Sequence, residues 1–254
     1  MTNLSLWKVS ELQKITGGKL ISNIKIIEQD IFITGVSTDS RDISEGDMFV
    51  AIDGERDGHE YVVDAFLSGA KLALVSKIPA GYKNEASLLI VKNVLEALNN
   101  IAKIARKRFK GLVIAITGSV GKTSTKEMLK SALEPFGEVH ASPKSFNNYL
   151  GVPISLVTIP KDADFAVLEI GMNSPGEIEP LSRLAKPDHI VITTTGKSHT
   201  ENFDNMHQIA KEKASIVKGM AGSGKIFLST EGQLQDDIMK ILNDEQFSVV
   251  KFGT

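Results

Sequence analysis

The chain has 254 residues, 42% of them hydrophobic, a formal net charge of −2 and no cysteine. This length and apolar content suit one large or two ordinary globular domains, the interspersed charge offers no basic field for nucleic acid, and disulfides and thiolate chemistry are excluded. The first residues lack a basic start followed by an apolar stretch, and no apolar run approaches membrane-spanning length. The expectation is a cytoplasmic protein with no membrane insertion, whose partners are small-molecule substrates recognised locally.

In chain order, the first hundred residues read as a small α/β unit. A short helix pattern covers 7–15, strands cover 31–36 and 48–52, and Ser44-Glu45-Gly46-Asp47 makes the turn between them. Asp53-Gly54 and Asp57-Gly58 mark a turn-rich stretch before a helix at 61–67, and 72–75 and 87–91 read as further strands. Helix 94–110 places Val94, Leu98, Ile101 and Ala105 on one face and lysines and arginines elsewhere. The domain boundary is set near Lys110, which divides the chain into 1–110 and 111–254.

From Leu112 strands and helices alternate. Strands are expected at 112–116, 165–169, 189–193, 225–228 and 247–250, with helices at 122–133, 176–184, 206–217 and 233–242. Such alternation argues a parallel sheet with helices on both faces, hence an α/β fold resembling the Rossmann arrangement. Thr254 follows directly on a strand, so the expectation is either a fold that ends abruptly there or a larger protein that has been cut.

Residues 112–131, LVIAITGSVGKTSTKEMLKS, order an apolar strand, a glycine-containing loop and a helix. That order builds a phosphate cradle: Gly118, Ser119, Val120 and Gly121 bring backbone N–H groups around an anion, and the helix beginning at Lys122, Thr123 and Ser124 aims its positive end at the same place. Lys122 would reach the outer phosphates of ATP and Thr123 would hold Mg²⁺. Ile116 stands where the full phosphate-loop pattern has a glycine, so the loop is the shorter variant T-G-x-x-G-K-T.

Ligands in an open parallel sheet sit at the carboxyl ends of the strands. Glu169 ends the apolar run FAVLE and is placed to coordinate Mg²⁺, against the alternative of a solvated strand end or helix-capping acid. His199 follows a third strand and could be a ligand or a structural histidine. Asn147 and Asn148 precede Gly151-Val152-Pro153 and could serve a turn or a ligand. Gly222-Ser223-Gly224-Lys225 imitates a phosphate loop, but a helix precedes it and a strand follows, so it reads as a helix-ending turn. Lys213, beside Lys211, Glu212 and Lys218, reads as a solvated surface lysine. Thr38, Asp39, Ser40 and Arg41 group hydroxyls, a carboxylate and a guanidinium, as either a capped loop with a surface ion pair or a site for a diphosphate and sugar hydroxyls.

The strings TGSVGKTSTKEML, FNNYLGVP, EIGMNSPGEI, ITTTGKSHTENF and IAKEKASI occur in the order found in the Mur ligases, and STDSR and GDMFVAIDGERDGHEY resemble that family's amino-terminal domain. The resemblance covers nearly the whole chain. It implies an ATP-dependent amide ligase of peptidoglycan synthesis, joining D-alanyl-D-alanine to UDP-N-acetylmuramoyl-tripeptide through an acyl phosphate. It further implies that Thr123 and Glu169 hold one Mg²⁺, that His199 and a carbamylated Lys213 attend a second, that Asn148 lies near the nucleotide, and that Thr38, Asp39, Ser40 and Arg41 face the UDP end of the substrate. Lys122, His199 and Lys213 are then the catalytic set. Residues 1–110 become a UDP-substrate domain and 111–254 an incomplete ATP domain, with the family's carboxy-terminal domain expected on a separate polypeptide or a longer chain. Lys197, Ser198 and Thr200 surround His199 where relatives commonly carry Pro-Ala before it and Leu after it. A non-catalytic nucleotide-binding fragment, an earlier Mur ligase and a folylpolyglutamate synthase are the competing expectations.

Overall fold

A computed structural model describes residues 5–22, 31–83, 86–143, 145–196, 202–244 and 247–253. The chain divides into two compact units, Met1–Ala105 and Arg106–Thr254.

In the first unit, β1 (Trp7–Lys8) pairs antiparallel with β3 (Phe32–Ile33), and α1 (Val9–Thr16) follows β1 directly. A five-stranded sheet has the order β2 (Lys19–Ile21), β7 (Ser87–Ile90), β6 (Leu72–Val75), β5 (Met48–Val50), β4 (Val36–Ser37). Its strands run parallel except β2. Every residue of β5 and β6 is buried, as strands covered on both faces require.

The single strand expected at 31–36 is two strands with different partners. The chain changes sheets at Thr34-Gly35, where the Gly35 carbonyl accepts from Met48 N at 2.9 Å and a Cβ would collide with the Asp47 carboxylate. The helix expected at 7–15 likewise starts two residues late, because Trp7 and Lys8 are taken by the pairing with β3. Gly58–Tyr61 forms a 3₁₀ turn before α2 (Val62–Leu67), capped by the Asp57 carboxylate, which accepts from His59 N at 3.0 Å. The buried His59 ring lies 2.6 Å from the same carboxylate through Nδ1, and its Nε2 accepts from Ser76 N at 2.9 Å. That backbone bond occupies the nitrogen lone pair that a serine nucleophile would need, so Asp57, His59 and Ser76 fasten the turn-rich loop to the end of β6.

α3 (Val94–Arg108) begins in the first unit and ends in the second. The second unit is a six-stranded, wholly parallel sheet in the order β13 (Val249–Phe252), β12 (Ile226–Ser229), β11 (His189–Ile192), β8 (Leu112–Thr117), β10 (Phe165–Glu169), β9 (Val139–Ala141). The chain leaves β8 toward β9 and β10, then crosses to β11, β12 and β13. β8 is therefore where the winding reverses, and the crevice at its carboxyl end is where such sheets bind ligands. The connecting helices are α4 (Lys122–Leu133), α5 (Gly151–Val157), α6 (Ile178–Ala185), α7 (Met206–Ala214) and α8 (Gln235–Asp244).

β2, β9 and α5 have no counterpart among the elements expected from periodicity. α5 carries Pro153 at its third position, where a missing N–H costs no intrahelical bond, and the Asn148 carboxamide accepts from Leu150 N at 3.2 Å and Gly151 N at 2.9 Å to open it. The helix expected at 206–217 is α7 followed by a 3₁₀ segment, Ser215–Gly219. Gly222, at φ 79°, turns the chain into β12, so residues 222–225 do precede a strand rather than a helix. Among the described residues no helix is long and apolar enough to cross a membrane.

Candidate functional site

The buried strand β8 ends at Thr117 and delivers the loop 118–121 to the amino end of α4. Gly118 and Gly121 take φ values of 150° and 90°, which side-chain-bearing residues rarely adopt. A Cβ on Gly118 would also collide with Thr193 Oγ1, at the end of β11. Thr193 in turn donates its hydroxyl toward Val120 O at 2.8 Å, Ser119 N donates to Thr194 O at 3.0 Å, and the Ser119 hydroxyl donates to Gly196 O at 3.0 Å. The loop is thus bolted to the neighbouring strand, with its peptide dipoles fixed before any anion arrives. Val120 stands exposed at its tip.

Lys122 folds back across this loop and donates from Nζ to Gly118 O at 2.8 Å. Burial lowers its pKa, an effect opposed by the charge of Glu169. Thr123, in the first turn of α4, donates its hydroxyl to Glu169 Oε2 at 3.2 Å. Ser124 is exposed beside it.

Glu169 is fully buried, which discards the solvated strand end considered from sequence. Register pairs it with Ile116, so it arrives level with the last turn of chain before the loop. Its Oε1 lies 3.2 Å from Lys126 Nζ yet accepts no hydrogen bond among the described residues. A buried carboxylate with Oε1 toward a lysine and Oε2 on the Thr123 hydroxyl, beside a phosphate loop, fits an Mg²⁺ site through that Oε2 and hydroxyl, because nucleotide-bound Mg²⁺ needs only one or two protein oxygens besides phosphate and water. No cluster of three or more His, Asp or Glu suited to a metal occurs among the described residues.

Lys213 corrects the sequence expectation. It is 1% exposed, not solvated, because the face of α7 that bears it turns into the unit. Burial, and next the like charge of Lys122, pull its amine down to about 8, with Glu212 acting the other way. The repulsion from Lys122 places this lysine within electrostatic reach of the phosphate loop. Glu212 itself is buried and accepts from Gly176 N at 2.9 Å and Ile178 N at 2.8 Å, which explains why α6 starts at Ile178 rather than at 176.

Asn148 is exposed and its carboxamide oxygen caps α5, the turn role considered from sequence. The backbone carbonyl of Asn147 holds the loop after β10 by accepting from Gly171 N at 2.8 Å. His199 lies outside the described residues. In the first unit, Asp39 takes Arg41 Nε at 2.8 Å and Nη2 at 2.6 Å, an exposed two-point pair, and the Ser37 hydroxyl accepts from Asp39 N at 3.0 Å. Thr38 and Ser40 flank that pair on the loop leaving the carboxyl end of β4.

Residues 116–254 match the Mur ligase middle domain, and residues 32–108 match a segment described as the Mur ligase family catalytic domain. The chain belongs to the Mur ligase family. Among relatives, UDP-N-acetylmuramoyl-tripeptide–D-alanyl-D-alanine ligase of Rickettsia prowazekii is 37% identical over 89% of this chain and 51% of its own length. MurF from Acinetobacter baumannii superposes with a TM-score of 0.79 at 30% identity, over 97% of this chain and 53% of that one. MurF ligase from Thermotoga maritima, solved in complex with ADP, gives 0.70 at 28% identity, over 86% of this chain and 50% of that one. This Mur ligase family chain spans about half the length of the curated relatives it matches.

Proposed function

We propose that this chain supplies the ATP and UDP-substrate sites of a cytoplasmic ligase that joins D-alanyl-D-alanine to UDP-N-acetylmuramoyl-tripeptide in peptidoglycan synthesis. The observation that carries this is the buried Glu169 carboxylate meeting the Thr123 hydroxyl at the mouth of the phosphate loop. The names of the matching ligases support the choice of substrates.

In this reading the loop Gly118, Ser119, Val120 and Gly121, with Lys122, Thr123 and Ser124 at the start of α4, surrounds the ATP phosphates, with Asn148 on the nucleotide side. Thr123 and Glu169 hold Mg²⁺, which when bound neutralises charge on the phosphate oxygens. Lys122 leaves Gly118 O for the γ-phosphate as the tripeptide carboxylate attacks it, the bond to the β-phosphate oxygen breaks and ADP leaves. It then stabilises the oxygens crowded together when the dipeptide amine adds to the acyl phosphate and inorganic phosphate leaves. Lys213, with a pKa near 8, keeps a neutral fraction at physiological pH that can add to CO₂ and lose a proton. The resulting carbamate replaces a cation repelled by Lys122 with an anion attracted to it, and with His199 it would attend a second Mg²⁺. Thr38, Asp39, Ser40 and Arg41 take the UDP end within the domain 1–110, and 111–254 holds the nucleotide.

The test is ADP release by the 254-residue chain supplied with ATP, Mg²⁺, UDP-muramoyl-tripeptide and D-alanyl-D-alanine, beside calorimetric binding of each ligand. ADP release that depends on the dipeptide supports the full reading. Binding of ATP and UDP-tripeptide without turnover supports the two sites and assigns ligation to groups outside the chain. Failure to bind either ligand overturns it.

A further inference from the structure

Lys126 follows Lys122 by one helical turn, on the same face of α4, and is 1% exposed. Its Nζ donates to Ser142 O at 2.8 Å, lies 3.1 Å from the partly exposed Glu127 carboxylate and 3.2 Å from Oε1 of the fully buried Glu169. Ser142 closes the arrangement, since its hydroxyl accepts from Glu169 N at 3.3 Å. A lysine here is costly on two counts. Burying an ammonium loses several kcal/mol of hydration, and a positive charge 3.2 Å from a metal-binding carboxylate opposes the arrival of another cation. What the lysine supplies in return is orientation. With Oε1 drawn toward Nζ and the backbone of Glu169 tied to Ser142, the remaining oxygen, Oε2, is turned to the Thr123 hydroxyl.

We propose that Lys126 is a positioning residue for the divalent cation of the nucleotide site, acting solely through Glu169. This rests on the assignment of Glu169 made above. Lys126 touches neither nucleotide nor metal. It fixes the carboxylate so that Oε2 and the Thr123 hydroxyl present one preformed edge to Mg²⁺, the task that outer partners perform for metal ligands elsewhere.

The experiment is calorimetry of ADP on the 254-residue chain, with Mg²⁺ and with EDTA, the ratio of the two dissociation constants being the Mg²⁺ coupling. Lys126→Met should reduce that coupling about 10- to 100-fold, the range for loss of an outer-shell partner, while the affinity in EDTA stays at the wild-type value because Lys122 and the loop amides are untouched. Glu169→Gln should remove the coupling, and adding Lys126→Met to it should change nothing further. Wild-type coupling in Lys126→Met, or tighter coupling, overturns the proposal; the second result would make the lysine a competitor of the metal. A further loss in the double variant also overturns it. Should Lys126→Met fail to fold, Lys126→Gln keeps a donor toward Ser142 O without the charge, and the same two outcomes decide. Absence of Mg²⁺ coupling in the wild-type chain would refute the assignment of Glu169 itself, a result distinct from failure of Lys126.

Discussion

Glu169 Oε2 and the Thr123 hydroxyl meet at 3.2 Å although 46 residues separate them in the chain. Parallel register explains the meeting. β10 lies beside β8 with Glu169 opposite Ile116, so the acid reaches the crevice at the level where β8 gives way to the loop and α4. Replacing the acid by glutamine should therefore remove the Mg²⁺ dependence of ADP binding and leave calorimetric binding of the UDP-tripeptide unchanged. The same change leaves the buried Lys126 with the exposed Glu127 as its carboxylate partner, which lowers stability in urea unfolding by less than the ~3–5 kcal/mol of a buried pair broken outright. Equal loss of both ligands would mean that the variant had misfolded.

Lys122 is held over the loop it serves, bonded to Gly118 O, so removing it should alter affinity without reshaping the cradle. Lys122→Ala should weaken ATP binding by about 10- to 100-fold, the equivalent of one lost hydrogen bond from a charged group. Titration calorimetry in Mg²⁺ reads this directly, and wild-type affinity in the variant would sink the phosphate role.

The buried amine of Lys213 makes stability depend on alkaline pH. With a folded pKa near 8 against an ordinary 10.5, the unfolded chain retains its proton in that window while the native one has lost it. Stability should rise with pH between those values, by roughly 3 kcal/mol, and the penalty should be fully present below pH 8. Urea unfolding in CO₂-free buffer measures the slope, and Lys213→Met should flatten it. A falling or level wild-type curve would contradict the burial of a neutral amine.

At the acid end the relevant group is His140 on β9, whose ring Nε2 donates to Ser155 O at 3.0 Å. Burial pushes it down to about 4, against a hydrogen bond that raises it and the charge of Lys130 that lowers it further. Below the ordinary 6.5 the unfolded chain takes up a proton first, so stability should fall as pH drops from 6.5 toward 4. Chemical denaturation across that range should show a shallower fall in His140→Gln, and identical slopes would exclude the histidine as the cause.

Elements whose pattern is local were legible in the amino-acid order. Strand 72–75, helix 122–133 and strand 165–169 take the expected bounds because apolar runs and helical spacing decide them without help from elsewhere. Strand pairing decided the others. Phe32–Ile33 and Val36–Ser37 separate because two sheets compete for them, and the three-residue β9 exists through its bonds to β10.

The amino-acid order by itself determined the α/β alternation, the glycine positions of the phosphate loop and the chemical types at the strand tips. Those follow from backbone sterics and from periods of two and 3.6 residues, which act over a few positions. Tertiary structure alone decided that Glu169 is dry, that Lys126 is its counter-ion and that Lys213 is a buried amine rather than a surface charge. Burial and charge pairing depend on which faces of distant elements meet, so no reading of spacing along α4 or α7 could have separated those lysines from their solvated neighbours.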